Sequence, residues 1–215
     1  MSSTYHWEAV TPFMRAVMTG FSQTEVGKSF YLAGGTALAL QLGHRRSVDL
    51  DFFSPTEDVP TLRESLGVAL QTYHPVLVDT AFNNLIFLAG SLSVGFYGYG
   101  YPLVRPRVIA EGVSLASVED IGLMKMDAIL GRASRKDFID LYFISQHYSL
   151  RELLDLAAQK YPNVRDFEVQ VVRQLVYFER AEQEEPPPLF QNVSWNTIKD
   201  YFRKQAVAIG SQWIR

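Results

Sequence analysis

The sequence predicts an α+β protein, with a mixed β-sheet lobe over residues 1–112 and a helical lobe over residues 113–215. Three observations carry this. Short apolar runs separated by turn chemistry cluster between Phe30 and Ile109. Near Ser117 the texture changes to longer stretches with helical spacing. A diglycine, Gly34-Gly35, stands at a helix start and is followed by two acids, Asp49 and Asp51, on an apolar strand.

Taken in order, Trp7–Thr19 mixes apolar and polar residues at helical spacing and leads into a loop around Gly20–Lys28. Phe30–Ala33 reads as a short strand end, and Thr36–Leu42 as a helix stopped by Gly43. Ser47–Phe53 reads as a strand closed by Ser54-Pro55, and Thr61–Gln71 as a helix. Val76–Ala81, Leu85–Ala89 and Leu92–Tyr97 are strand-like; the breaks at Asn83-Asn84 and Gly90-Ser91 are turn chemistry, so an antiparallel meander is expected. Val108–Ile109 adds a short strand. Ser117-Val118-Glu119-Asp120 has the composition of a helix start, a cap followed by acids in the first turn. Val118–Gly131, Lys136–His147, Leu150–Lys160 and Asp166–Glu182 then read as helices. Glu184-Glu185-Pro186-Pro187-Pro188 interrupts the series, and Trp195–Ile209 reads as the last helix.

At 215 residues, the chain can bury a substantial core. Its apolar content of 47% and charged content of 20% are those of a globular protein. A net charge of −3 gives no global basic field for nucleic acid, though a local basic cleft stays open. There are no cysteines, which removes disulfides, thiolate–zinc sites and a cysteine nucleophile. Met1–Val10 is polar and no apolar run approaches the roughly 20 residues of a membrane helix, so neither a signal peptide nor a membrane span is expected and the default is a cytoplasmic protein.

The chemistry concentrates in Leu32-Ala33-Gly34-Gly35-Thr36-Ala37 and His44-Arg45-Arg46-Ser47-Val48-Asp49-Leu50-Asp51-Phe52-Phe53. Side chains two apart on a strand share a face, so Asp49 and Asp51 converge while Leu50, Phe52 and Phe53 anchor the strand. Two adjacent carboxylates repel unless a cation lies between them, and hard oxygen ligands suit Mg²⁺ or Mn²⁺. The glycines permit close backbone approach to a ligand, and a helix N-terminus favours an anion. A metal site beside a phosphate cradle points to nucleotide chemistry.

Together these segments resemble the AbiEii/AbiGii family of the nucleotidyltransferase superfamily, with a Gly-Gly helix start followed by a paired-acid strand. Asp120-Ile121-x-x-x-Lys125-x-x-Ala128-Ile129-x-x-Arg132 and Lys136-Asp137-x-x-Asp140-Leu141-Tyr142 carry the same resemblance, as does Tyr177-Phe178-x-x-Ala181-Glu182. The motifs span roughly residues 30–145, with the helical tail beyond. The resemblance implies a nucleotidyltransferase-fold sheet lobe, a helical C-terminal lobe, a cleft between them, and transfer of a nucleoside monophosphate from an NTP. It implies Asp49 and Asp51 as metal ligands, Gly34, Gly35, Thr36 and Ser47 near the triphosphate, and Lys125, assisted by Arg132, facing the nucleotide. It further implies a toxin of a toxin–antitoxin pair, with tRNA as the leading acceptor and a cognate antitoxin as partner.

Bland readings stand beside these. Ser47 is also a plain turn residue; Arg45 and Arg46 fit a salt bridge as well as a phosphate; Lys125 also fits a snorkelling surface lysine. Arg132 falls two helical turns after Lys125, which gives a cationic stripe. Asp137 either positions Lys125, acts on the acceptor, or caps the helix; Asp140 either orients a cation or is structural. The run from Phe96 to Tyr101 either stacks on a base or fills the core. The four histidines, His6, His44, His74 and His147, show no zinc spacing.

One departure matters. Polymerase-like relatives carry a third carboxylate on a later strand; the matching position here lies near Gly95, and no acid occurs between Gly90 and Glu111. Asp79, one strand run earlier, is the nearest substitute. Two rival functions follow: a nucleotide-binding protein without transfer activity, and an AMP- or UMP-adding enzyme that acts on protein hydroxyls.

Overall fold

The computed structural model describes residues 5–213, and the chain divides between Ser117 and Val118 into two compact units. In the first, helix α1 (Pro12–Ser22) begins later than the apolar pattern because Thr11 caps it, accepting from Met14 N–H at 3.1 Å, with Pro12 in the first turn. Trp7–Ala9 ahead of it is a 3₁₀ turn. Its buried stripe of Met14, Val17, Met18 and Phe21 has helical spacing and faces the sheet core, where Phe21 lies 4.6 Å from Phe52 and 5.0 Å from Phe96.

The sheet is mixed and seven-stranded. Its strands are β1 (Tyr31–Leu32), β2 (Asp49–Ser54), β3 (Pro75–Ala81), β4 (Asn84–Ala89), β5 (Leu92–Gly98), β6 (Val108–Ala110) and β7 (Val113–Leu115), in the order β3-β4-β5-β2-β1-β7-β6. The β3–β4–β5 meander is antiparallel, as its turns require, while β2 runs parallel to β5 and β1 parallel to β7. Helix α2 (Gly34–Leu42) follows β1, and α3 (Arg63–Ala69) follows β2. On β2, Leu50, Phe52 and Ser54 are buried, whereas Asp49, Asp51 and Phe53 are half-buried on the other face.

The second unit is helical: α4 (Val118–Gly131), α5 (Arg135–Ile144), α6 (Leu150–Lys160), α7 (Phe167–Gln174), α8 (Glu179–Glu182) and α9 (Trp195–Gly210). The central α4 packs on α5, α6 and α7. Phe138 gathers the rings of Phe178, Trp195 and Phe202 at 5.1, 6.1 and 5.6 Å. The stretch expected as one helix over Asp166–Glu182 is two, because Phe178, with φ −109° and ψ 0°, leaves the helical region and turns into this aromatic cluster. Among the described residues no helix is long and apolar enough to cross a membrane.

Candidate active site

In the first unit, the link between β1 and α2 folds onto β2. The Ala33 N–H donates to the Asp51 carbonyl at 3.0 Å. Gly34 then takes a φ of +63°, and a Cβ there would stand 3.0 Å from Asp51 Oδ2. The Asp51 carboxylate therefore rests against the bare backbone where α2 begins, and that first turn leaves N–H groups without intrahelical partners. Gly35 is bare for a second reason: a Cβ there would collide with the Arg45 guanidinium. Arg45 is buried and donates from Nη1 to the Arg46 carbonyl at 3.0 Å, while Arg46 is exposed.

Thr36 and Ser47 form a clip. The Thr36 hydroxyl donates to the Asp49 carbonyl, so Ser47 is the donor in the 2.7 Å bond between the two hydroxyls. Ser47 lies ahead of β2 rather than within it, and its N–H goes to the Ala9 carbonyl at 2.9 Å instead of a strand partner. Both side chains are buried and engaged in holding α2 to the start of β2.

Asp49 and Asp51 share the exposed face of β2, in register with Ser93 and Gly95 of the parallel β5. The position beside Asp51 is thus a glycine. Asp79 is in register with Ile86, and Ile86 with Gly95, which puts Asp79 three strands from Asp51, ~14 Å at the usual strand spacing. It is too distant to join the pair. Among the described residues no three His, Asp or Glu side chains gather as a metal-holding group. Two half-buried carboxylates on one face nevertheless fit a Mg²⁺ or Mn²⁺ ion whose remaining ligands come from substrate phosphates and water.

In the second unit, Lys125, Arg132, Asp137 and Asp140 form a single cluster. Lys125 Nζ lies 3.0 Å from Asp137 Oδ1 and 2.7 Å from Asp140 Oδ2, with both carboxylates fully buried. Arg132, with its side chain 60% exposed, donates from Nε and Nη2 to the two Asp137 oxygens, each at 2.9 Å. Ser134 completes a capping box, its Oγ donating to Asp137 Oδ2 at 2.8 Å. Burial, the largest single influence, pushes the Asp137 carboxyl up; Lys125, Arg132 and Ser134 together outweigh it and hold it well below the usual carboxylate range. Arg132 also lines a cavity of about 330 Å³ with Gln174, Tyr177 and Arg180.

Sequence reasoning did not find the second buried ion pair, Lys160 Nζ to Asp120 Oδ1 at 2.8 Å, with both side chains fully enclosed. Burial lowers the Lys160 ammonium pKa, against the pull of Asp120 and Asp127. The one signal was Asp120 itself, an acid among buried apolar residues of α4.

The family model described as "Nucleotidyl transferase AbiEii toxin, Type IV TA system" matches residues 16–86 and 91–207. An uncharacterised protein of Aquifex aeolicus (strain VF5), aq_aa25, is 36% identical over 185 residues, 82% of this chain and 85% of that one. Among solved structures, an H. pylori protein assigned as a nucleotidyltransferase is similar with a TM-score of 0.55 at 22% identity, over 93% of this chain and 92% of that one. MenT4, a nucleotidyltransferase toxin from Mycobacterium tuberculosis H37Rv, gives a TM-score of 0.56 at 17% identity, over 92% and 82%. The antibiotic-resistance factor ANT(2'')-Ia gives 0.51 at 14%, over 68% and 90%. At these identities the structural likenesses establish the fold, that of the nucleotidyltransferases.

Proposed function

The chain belongs to the AbiEii family of nucleotidyl transferase toxins, and we propose that it moves a nucleoside monophosphate from an NTP to a hydroxyl of tRNA, as the toxin of a type IV toxin–antitoxin pair. The observation that carries the reading is the pairing of Asp49 and Asp51 on one face of β2, with Asp51 set against the Gly34 backbone where α2 begins. Asp49 and Asp51 would hold Mg²⁺ or Mn²⁺, which when bound neutralises charge developing on the phosphates. The first-turn N–H groups of Gly34 and Gly35 supply donors for a phosphate, and the Arg45 guanidinium, packed beneath Gly35, adds positive charge. Thr36 and Ser47 keep this turn in register with Asp49.

Within the second unit, it is the family resemblance that gives Lys125, assisted by Arg132, a cationic role toward the nucleotide. Asp137 and Asp140 fix the Lys125 ammonium in direction, and Asp137 aligns Arg132; both acids are positioning residues in this reading.

A nucleic-acid acceptor is supported by the half-exposed rings Tyr97, Tyr99 and Tyr101, which continue from Phe53, with Phe53–Tyr97 at 4.9 Å and Tyr99–Tyr101 at 5.1 Å. Exposed Arg105 and Arg107 flank them, Arg107 lying 5.1 Å over the Tyr31 ring. Aromatic rings followed by arginines suit single-stranded nucleic acid. The family's toxin character supports a cognate antitoxin and a cytoplasmic setting.

A second reading, nucleotide binding without transfer, is favoured by one observation, the glycine in register with Asp51 where an acid would complete a set of three. Incubating the protein with radiolabelled NTP, Mg²⁺ and tRNA separates the two. Asp49-dependent label in tRNA supports transfer, label in protein instead indicates a protein-modifying enzyme, and NTP binding with no label anywhere leaves the binding-only reading.

A further inference from the structure

On the face that carries Asp49 and Asp51, β5 presents Ser93, Gly95 and Tyr97, in register with Asp49, Asp51 and Phe53. A side chain at position 95 would stand directly alongside Asp51. Gly95 has none, and the place its Cβ would take lies 2.5 Å from Tyr97 Oη and 2.5 Å from Tyr97 Cε2. Tyr97 therefore leans back along its own strand over Gly95. Its ring is stacked on Phe53, with centroids 4.9 Å apart and planes 23° from parallel. Residues two apart on a strand share a face, so only a residue without a Cβ at 95 leaves room for this. The side chain over the position in register with Asp51 is consequently that of Tyr97, a half-buried residue.

We infer that the Tyr97 hydroxyl is the third functional group of the site and that it orients the acceptor hydroxyl for attack. The inference rests on the nucleotidyl transfer proposed above. The role is one of position: a phenol oxygen offers a directed hydrogen-bond acceptor rather than a strong base. Its oxygen accepts a hydrogen bond from the acceptor O–H, which turns a lone pair of the acceptor oxygen toward the α-phosphorus. The bond from that oxygen to phosphorus forms as the bond to the pyrophosphate oxygen breaks, the electron pair leaves with pyrophosphate, and the acceptor proton passes to solvent. The absence of an acid between Gly90 and Glu111 then describes a site organised around a phenol.

Two variants test this. Tyr97→Phe keeps the stack on Phe53 and removes only the hydroxyl. Gly95→Ala keeps the hydroxyl in the chain and displaces it. Both are expected to lower kcat by about 10–100-fold with KM for NTP unchanged, and Tyr97→Phe to leave the thermal unfolding midpoint unchanged as well. A ring that merely plugs the sheet would leave Tyr97→Phe at the wild-type kcat, and that result overturns the inference. A wild-type protein that binds NTP but shows no Asp49-dependent transfer overturns the proposed function first, and this inference with it.

Discussion

Asp137→Asn keeps the shape of a fully buried side chain while removing its charge. The carboxylate accepts from Lys125 at 3.0 Å, from Arg132 twice at 2.9 Å, and from Ser134 at 2.8 Å. A hydrogen bond to a buried charged partner is worth about 1.5–3 kcal/mol, and a helix cap about 1 kcal/mol. The Arg132 bonds count for less, about 0.5 kcal/mol, since that side chain is mostly in solvent. Lys125 retains Asp140 at 2.7 Å and so is not stranded. The sum is a loss of about 3–4.5 kcal/mol at pH 7, large against the 5–15 kcal/mol of a typical domain. The pH dependence has a definite sign. Because the folded carboxyl is held below its unfolded value near 4, its stabilisation is complete above about pH 4 and fades as pH falls toward the folded value. The difference between wild type and Asp137→Asn should therefore shrink in acid. Urea unfolding followed by Trp195 fluorescence, with Trp7 and Trp213 replaced by Phe in both proteins, measures it. A gap under about 1 kcal/mol at neutral pH, or one that does not change below pH 4, would refute the reasoning.

Other consequences are as direct. Lys160→Met should destabilise by about 3–5 kcal/mol because it leaves Asp120 charged and enclosed, whereas Asp120→Leu/Lys160→Met should recover most of that loss in thermal unfolding. Gly35→Ala should push Arg45 out of its seat and weaken NTP binding by about tenfold in calorimetry, the equivalent of about 1.4 kcal/mol, with little change in unfolding midpoint. Phe96→Ala, which empties the centre of the Phe21, Phe30, Phe52 and Phe87 cluster, should cost about 3–5 kcal/mol in chemical denaturation.

The fold was legible wherever a local pattern was long enough to bury a face. The β2 alternation of Asp49 and Asp51 against Leu50 and Phe52 was plain, as were the turns of the β3–β5 meander; Phe53, expected to anchor the strand with Leu50 and Phe52, lies instead on the acids' face, because the alternation continues unbroken to Ser54. The mixed sheet itself, with its order and parallel β2–β5 pairing, was not, since pairing between distant segments leaves no periodic trace. The three-residue β7 escaped for the same reason; its place is set by pairing with β1 at Leu32–Leu115 and with β6.

At the candidate site, spacing paired Lys125 with Arg132 on one helix face and Asp137 with Asp140 on another, but not the four into one cluster, which depends on how α4 packs on α5; Ser134-x-x-Asp137 is a capping-box spacing in plain view. The Thr36–Ser47 clip was not visible, because a hydroxyl near a phosphate-type turn and a hydroxyl tied to backbone have the same sequence signature. Tyr97 was read only as part of an aromatic run. Its position over Gly95 depends on strand register with Asp51, which no single segment encodes.

The most direct test is transfer itself: purified protein with each α-phosphate-radiolabelled NTP, Mg²⁺ and bacterial tRNA, beside an Asp49→Ala/Asp51→Ala control. Label that enters tRNA and vanishes in the control is the expected result, and it would also name the base. Label that persists in the control, or none in tRNA while Mg²⁺–NTP still binds, would contradict the assignment of Asp49 and Asp51 to a tRNA-directed nucleotidyl transfer.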